Sequence, residues 1–160
     1  MKLSTKGRYG IHAMYDLAQC GQAEPQPLRA IAARQGVPEA YLAQLLVALR
    51  RAKLVKGVRG AQGGYLLARS PKDITVGDVL RTLEGELAQV DCLSQEDLCD
   101  KACVCPTRLV WQKVQEGLNG IVDGITLQDM LDDQMRMTNS PAEVGEPVGE
   151  RATSQGTSCK

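Results

Sequence analysis

Four of the six cysteines of this 160-residue chain, Cys92, Cys99, Cys103 and Cys105, fall within fourteen consecutive residues, just before Pro106. Thiolates are soft donors that suit zinc, copper(I) and iron–sulfur clusters. Zinc sites bring their ligands in pairs separated by about two to four residues. Cys99 and Cys103 make one such pair, and there is no second. A cluster is larger than one ion and accepts looser spacing, so spacing leaves zinc, a cluster and plain redox thiols all open. Asp91, Glu96, Asp97 and Asp100 make the segment acidic. Acidity does not lower a thiol pKa, which argues against a simple reactive-cysteine switch. Cys20 and Cys159 stand apart and read as ordinary thiols. No apolar signal core opens the chain, and no run of about 18 apolar residues would span a membrane. The expected location is the cytoplasm, where clustered cysteines are more often metal or redox groups than disulfides.

The elements around this segment divide by charge. The formal net charge is zero, but residues 1–70 hold 11 basic and 3 acidic side chains, and residues 71–160 hold 8 and 16. A basic half beside an acidic half points to a polyanion partner for the first half. Ser4 or Thr5 caps an expected first helix, with Gly10, Ala13, Met14, Leu17 and Ala18 on one face. Leu28 to Arg34 reads as a short second helix. Gly36 supplies the positive φ of a tight turn, Val37 plugs the corner and Pro38 starts a third helix. In that helix Leu42, Leu45, Leu46 and Leu49 form the buried stripe, leaving Ala40, Ala43, Gln44, Val47 and Arg51 outside. This is a helix-turn-helix pattern. Two short strands, 54–59 and 64–68, follow with a glycine turn between them, a hairpin placed as a wing with Arg59 near its tip. Thr75 and Asp78 form a capping box for a fourth helix ended by Gly85.

After Pro106 a helix to about residue 123 carries Val110 or Trp111, Val114, Leu118, Ile121 and Ile125 along one seam. The seam is too long for the core of so small a domain, so self-pairing into a homodimer is the economical expectation. Thr126 and Asp129 cap a last short helix. From Thr138 onward the composition is that of a disordered tail. The expected fold class is mainly α with a small β-hairpin wing: a winged helix-turn-helix (1–84), a cysteine-rich cluster-binding segment (85–105), a dimerisation helix and final short helix (106–137), and a tail (138–160). No nucleophile–base pair or phosphate-binding glycine loop is present, so an enzyme is the weakest reading.

Met1 to Tyr9, Tyr41-Leu42-Ala43-Gln44-Leu45, Val58 to Leu67 and three cysteines before a Trp-bearing helix together resemble the IscR/NsrR/CymR superfamily of bacterial winged-helix regulators, and most of all its IscR-like members. The resemblance covers about residues 1–135. It implies a homodimer on a partly palindromic operator and a [2Fe–2S] cluster that reports iron–sulfur status to cluster-assembly genes. It implies Cys92, Cys99 and Cys105 as ligands, Tyr41, Gln44 and Arg59 as DNA contacts, and Ser4 and Lys6 near phosphates. The fourth ligand departs from the family. The position that holds histidine in IscR-like members is Arg108, which stays protonated, and the carboxylate position of NsrR-like members is Arg8. Cys103, or His12 from a partner subunit, remains to fill it. Relatives also include nitric-oxide-sensing repressors and cofactor-free repressors, and a zinc-stabilised DNA-binding protein is the reading from outside the family.

Overall fold

The computed structural model describes residues 4–21, 23–60, 62–87, 90, 93 and 105–139. Its elements are α1 (Thr5–Gln19), α2 (Leu28–Gln35), α3 (Glu39–Arg51), β1 (Val55–Val58), β2 (Gly64–Leu67), a 3-10 turn at Pro71–Asp73, α4 (Val76–Glu84), α5 (Pro106–Gly124) and α6 (Leu127–Asn139). This is the expected mainly helical fold with one antiparallel hairpin. Cys92, Cys99, Cys103 and residues 140–160 lie outside the described residues.

The Ser4 hydroxyl starts α1 by accepting the Lys6 N–H at 3.0 Å, an N-cap that satisfies one of the orphan amides of a helix start. The whole expected stripe from Gly10 to Ala18 is buried. Gly7 and Gly10 face α4, where a Cβ on Gly7 would lie 2.9 Å from both Leu80 and Glu84, and one on Gly10 would run into Leu83. Two backbones therefore approach closely along this line. Glu84, at the end of α4, accepts from the Gly7 N–H at 2.8 Å and from the Ser4 hydroxyl, so α4 also closes the open end of α1.

Gly36 ends α2 at φ 62°, and the Val37 N–H reaches back to the Ala32 carbonyl at 3.0 Å. That turn sets α3 across α2, and Leu42, Leu45, Leu46 and Leu49 go into the core with Ile31, Ala32 and Val37. The strands pair Val55 with Leu67 through Val58 with Gly64. A third, one-residue strand completes the small sheet: Gln26 and Tyr65 exchange N–H···O bonds of 2.9 and 2.8 Å. Glycine is required at 64, because a Cβ there would enter the Gln26 carbonyl.

The capping box of Thr75 and Asp78 is formed, with Gly85 at φ 86° as the stop. Thr126 and Asp129 repeat the device at the head of α6, through bonds of 3.1 and 2.8 Å. Between these two caps lies a clasp. The Val76 N–H donates to the Ile125 carbonyl at 2.8 Å, and the Leu127 N–H to the Ile74 carbonyl at 3.0 Å. Leu127 and Ile74 are both fully buried behind it, and an Arg81–Asp123 ion pair flanks it. From there α6 packs on α1, where Tyr15 and Gln19 both donate to the Gln134 side-chain oxygen, Gln19 at 2.6 Å. Burial raises the Tyr15 pKa above its ordinary value. α6 continues through Asn139, so Thr138 and Asn139 are helical rather than part of a tail. Low apolar content does not forbid a last turn, and the Thr138 hydroxyl bonds the Gln134 carbonyl at 3.0 Å.

α5 buries far less of its apolar face than α1, α3 or α4. Among its described side chains only Val122 is buried, while Leu109, Val110, Trp111, Val114 and Ile121 are 40–64% exposed.

Candidate nucleic-acid interface

The buried leucine stripe of α3 fixes which residues face outward. Gln44 and Val47 are exposed, Ala43 is half-buried, and Tyr41 is half-buried with its ring edge-on to Tyr9 at a centroid distance of 6.0 Å. That contact ties the head of α3 to α1 and limits the Tyr41 rotamers. The chain then leaves α3 through Arg50, Arg51, Lys53, Lys56 and Arg59, five basic side chains in ten residues with no carboxylate among them. All five are exposed. Arg59 follows β1 directly and precedes Gly60, whose φ of 119° opens the wing turn. The wing therefore carries its arginine at the tip, as the sequence predicts. Arg59 and Arg50 line one groove of about 370 Å³ between the wing and the start of α2.

Ser4 and Lys6 sit at the head of α1. Lys6 is exposed, whereas the Ser4 hydroxyl is engaged within the chain as N-cap and donor to Glu84. His12 is exposed on α1, with Nδ1 3.3 Å from Oε1 of Gln35. Of the cysteine candidates, Cys105 alone is described. It is the N-cap residue of α5, with Sγ 3.0 Å from the Thr107 hydroxyl. That hydrogen bond chiefly, then the backbone amides of Arg108 and Thr107 and the Arg108 charge, hold the thiol below its ordinary pKa. The acidic residues Asp91, Glu96, Asp97 and Asp100, which argued the other way, lie outside the described residues. Among the described residues no three His, Cys, Asp or Glu side chains gather at one point.

Sequence reasoning missed two features. One is Arg50, flagged only by its place in the basic run. The other is a clamp behind the reader. Asp16, 2% exposed, accepts from Arg34 Nε at 2.9 Å and Nη2 at 2.7 Å and from Gln35 Nε2 at 2.9 Å. This fork locks α2 to α1. The available signal was a lone carboxylate set among the apolar positions 13, 14, 17 and 18.

A helix presented outward from a three-helix core beside a basic wing defines a winged helix-turn-helix transcription regulator. A family model described as Rrf2, iron-dependent transcriptional regulator, matches residues 3–133, and the chain belongs to that family. It is 40% identical over 130 residues to the HTH-type transcriptional regulator CymR of Bacillus subtilis, covering 81% of this chain and 89% of that one. It is 37% identical over 134 residues to IscR of Escherichia coli, covering 84% and 82%. Among solved structures, IscR of T. potens superposes with a TM-score of 0.73 at 47% identity, over 89% of this chain and 94% of the other. These relatives are transcription regulators rather than enzymes. Among the described residues no helix is long and apolar enough to cross a membrane.

Proposed function

We propose that the chain is a homodimeric, cytoplasmic DNA-binding regulator that senses through a [2Fe–2S] cluster and controls cluster-assembly genes. The observation that carries the DNA-binding part is the outward face of α3 beside a carboxylate-free basic wing. In this reading Gln44 offers its amide to adenine N6 and N7 in the major groove, and Tyr41 makes a neighbouring contact. Arg59 enters the adjoining minor groove, and Lys6 lies against a phosphate. The engagement of Ser4 with Glu84 leaves Ser4 a supporting role at most unless that contact opens.

The donor chemistry of Cys105 fits a cluster, because a thiol already biased toward thiolate at a helix start is a ready ligand. Cys92, Cys99 and Cys105 would hold the group, with Cys103 or the His12 of a second copy as fourth donor. When bound, the cluster supplies a redox-active, ligand-sensitive centre next to α5. Arg108, in the first turn of α5, favours the Cys105 thiolate electrostatically and does not ligate. The exposed apolar seam of α5 supports pairing of two copies; the His12 alternative requires that pairing to bring α1 of one copy to the cysteine segment of the other.

The experiment is metal and sulfide analysis with visible absorption on anaerobically purified protein, for the native chain, Cys103→Ala and His12→Ala. Near-equal iron and sulfide, about two of each per subunit, is expected, and the variant that alters the spectrum identifies the fourth donor. Zinc alone, or no metal, overturns the cluster reading and leaves the DNA-binding one standing.

A further inference from the structure

We infer that the groove between the wing and the start of α2 seats one phosphate of the DNA backbone and that Arg50 grips it; this rests on the DNA-binding reading above. Arg50 lies in the last turn of α3. Its Nη1 and Cδ stand 3.8 and 3.9 Å from where a Cβ on Gly57 would be, so the side chain lies along the bare backbone of β1. The missing side chain at 57 is what lets a recognition-helix arginine lean onto the wing. Pro27 and Leu28 form the facing wall, at a helix start where Pro27 offers no side-chain cap. Arg59 closes the outer end.

Charge bookkeeping within the fold points to an anion from outside. Arg29, Arg34, Arg69, Arg81 and Arg136 each have a carboxylate within 4.0 Å. Among the described residues Arg50 and Arg59 have none, and no Asp or Glu lines their groove. Geometry says which anion. In a duplex one sugar–phosphate strand separates the major groove from the adjoining minor groove. A cleft between a helix placed in the first and a wing placed in the second faces that strand. The contact is made to phosphate, so it positions the protein and carries no sequence preference.

Binding is measured by fluorescence anisotropy across a series of KCl concentrations. One labelled duplex is selected by the native protein from a random pool, and the other is its scrambled counterpart. Arg50→Gln is expected to keep its melting temperature, to lose affinity on the order of tenfold for both duplexes, and to flatten the slope of log K against log salt by about 0.9 per protomer. Arg50→Lys keeps the charge and retains the slope. Gly57→Val leaves the charge but lifts the side chain, and weakens both duplexes alike. An Arg50→Gln protein with the native slope, or one that loses affinity for the selected duplex only, overturns the phosphate seat while leaving the DNA-binding reading intact. A native protein that enriches no duplex from the random pool overturns both.

Discussion

Asp16 is the buried charged side chain among the described residues, and its partner Arg34 is 40% exposed. The two ends of this pair are therefore unequal. Arg34→Ala strands a desolvated carboxylate on Gln35 alone and is expected to cost about 3 kcal/mol. Asp16→Ala frees an arginine that turns to water and costs less; urea unfolding that ranks the two variants the other way refutes the clamp. At the wing, Arg59→Ala is expected to weaken operator binding most at A·T-rich minor grooves, and unchanged affinity on such duplexes removes its assigned role. The outward placing of Gln44 and Arg59 was legible because helical periodicity and glycine punctuation say which side chains stay outside; Tyr41 came only from the resemblance, and it is half-buried against Tyr9. Asp16 was not legible, because pattern reading assigns a charge to solvent, and its partner lies 18 residues away on another helix.

Among the elements, caps were the most legible feature, since Thr-x-x-Asp at 75–78 and at 126–129 satisfies helix-start amides by local chemistry alone. The Thr126 hydroxyl, then its backbone amide, holds the Asp129 pKa below the ordinary carboxylate value. A depressed carboxylate contributes stability above its unfolded pKa of about 3.9, and that contribution is lost as pH falls through the folded value. Thr126→Val should move the NMR titration of Asp129 upward toward the ordinary value; an unmoved midpoint means the cap is not its cause. The Gln26–Tyr65 strand was invisible because one residue has no period. The close pass of α1 and α4 at Gly7 and Gly10 was equally hidden, since a glycine in a helix names no neighbour. Just past the Ala52 C-cap of α3, Lys53 sits at φ 59°, a left-handed position where a Cβ is disfavoured. Lys53→Gly is expected to raise stability by about 0.5–1 kcal/mol while removing one charge of the basic run. Thermal melts and duplex titrations on the same preparation read the two effects separately.

Over the whole molecule, α5 is an arm whose apolar seam is largely exposed among the described residues. Val114 is 45% exposed in its middle. Val114→Asp is expected to give a folded monomer by analytical ultracentrifugation, and a native-like dimer would move the pairing surface elsewhere. The seam was legible as periodicity in sequence. What the sequence did not reveal is how the arm is fastened. The clasp of Val76 with Ile125 and Leu127 with Ile74 bolts the foot of α5 to the root of α4, and α4 is packed on α1 and α3. In a dimer paired along α5, two readers are then held at one separation and one angle. DNA turns its faces about every 10.5 base pairs, so the clasp makes the protein a ruler of helical phase. Adding about five base pairs between the operator halves carries the second half to the far side of the duplex and should abolish two-headed binding. Adding about ten returns it to the right face but out of reach of so short and stiff a span.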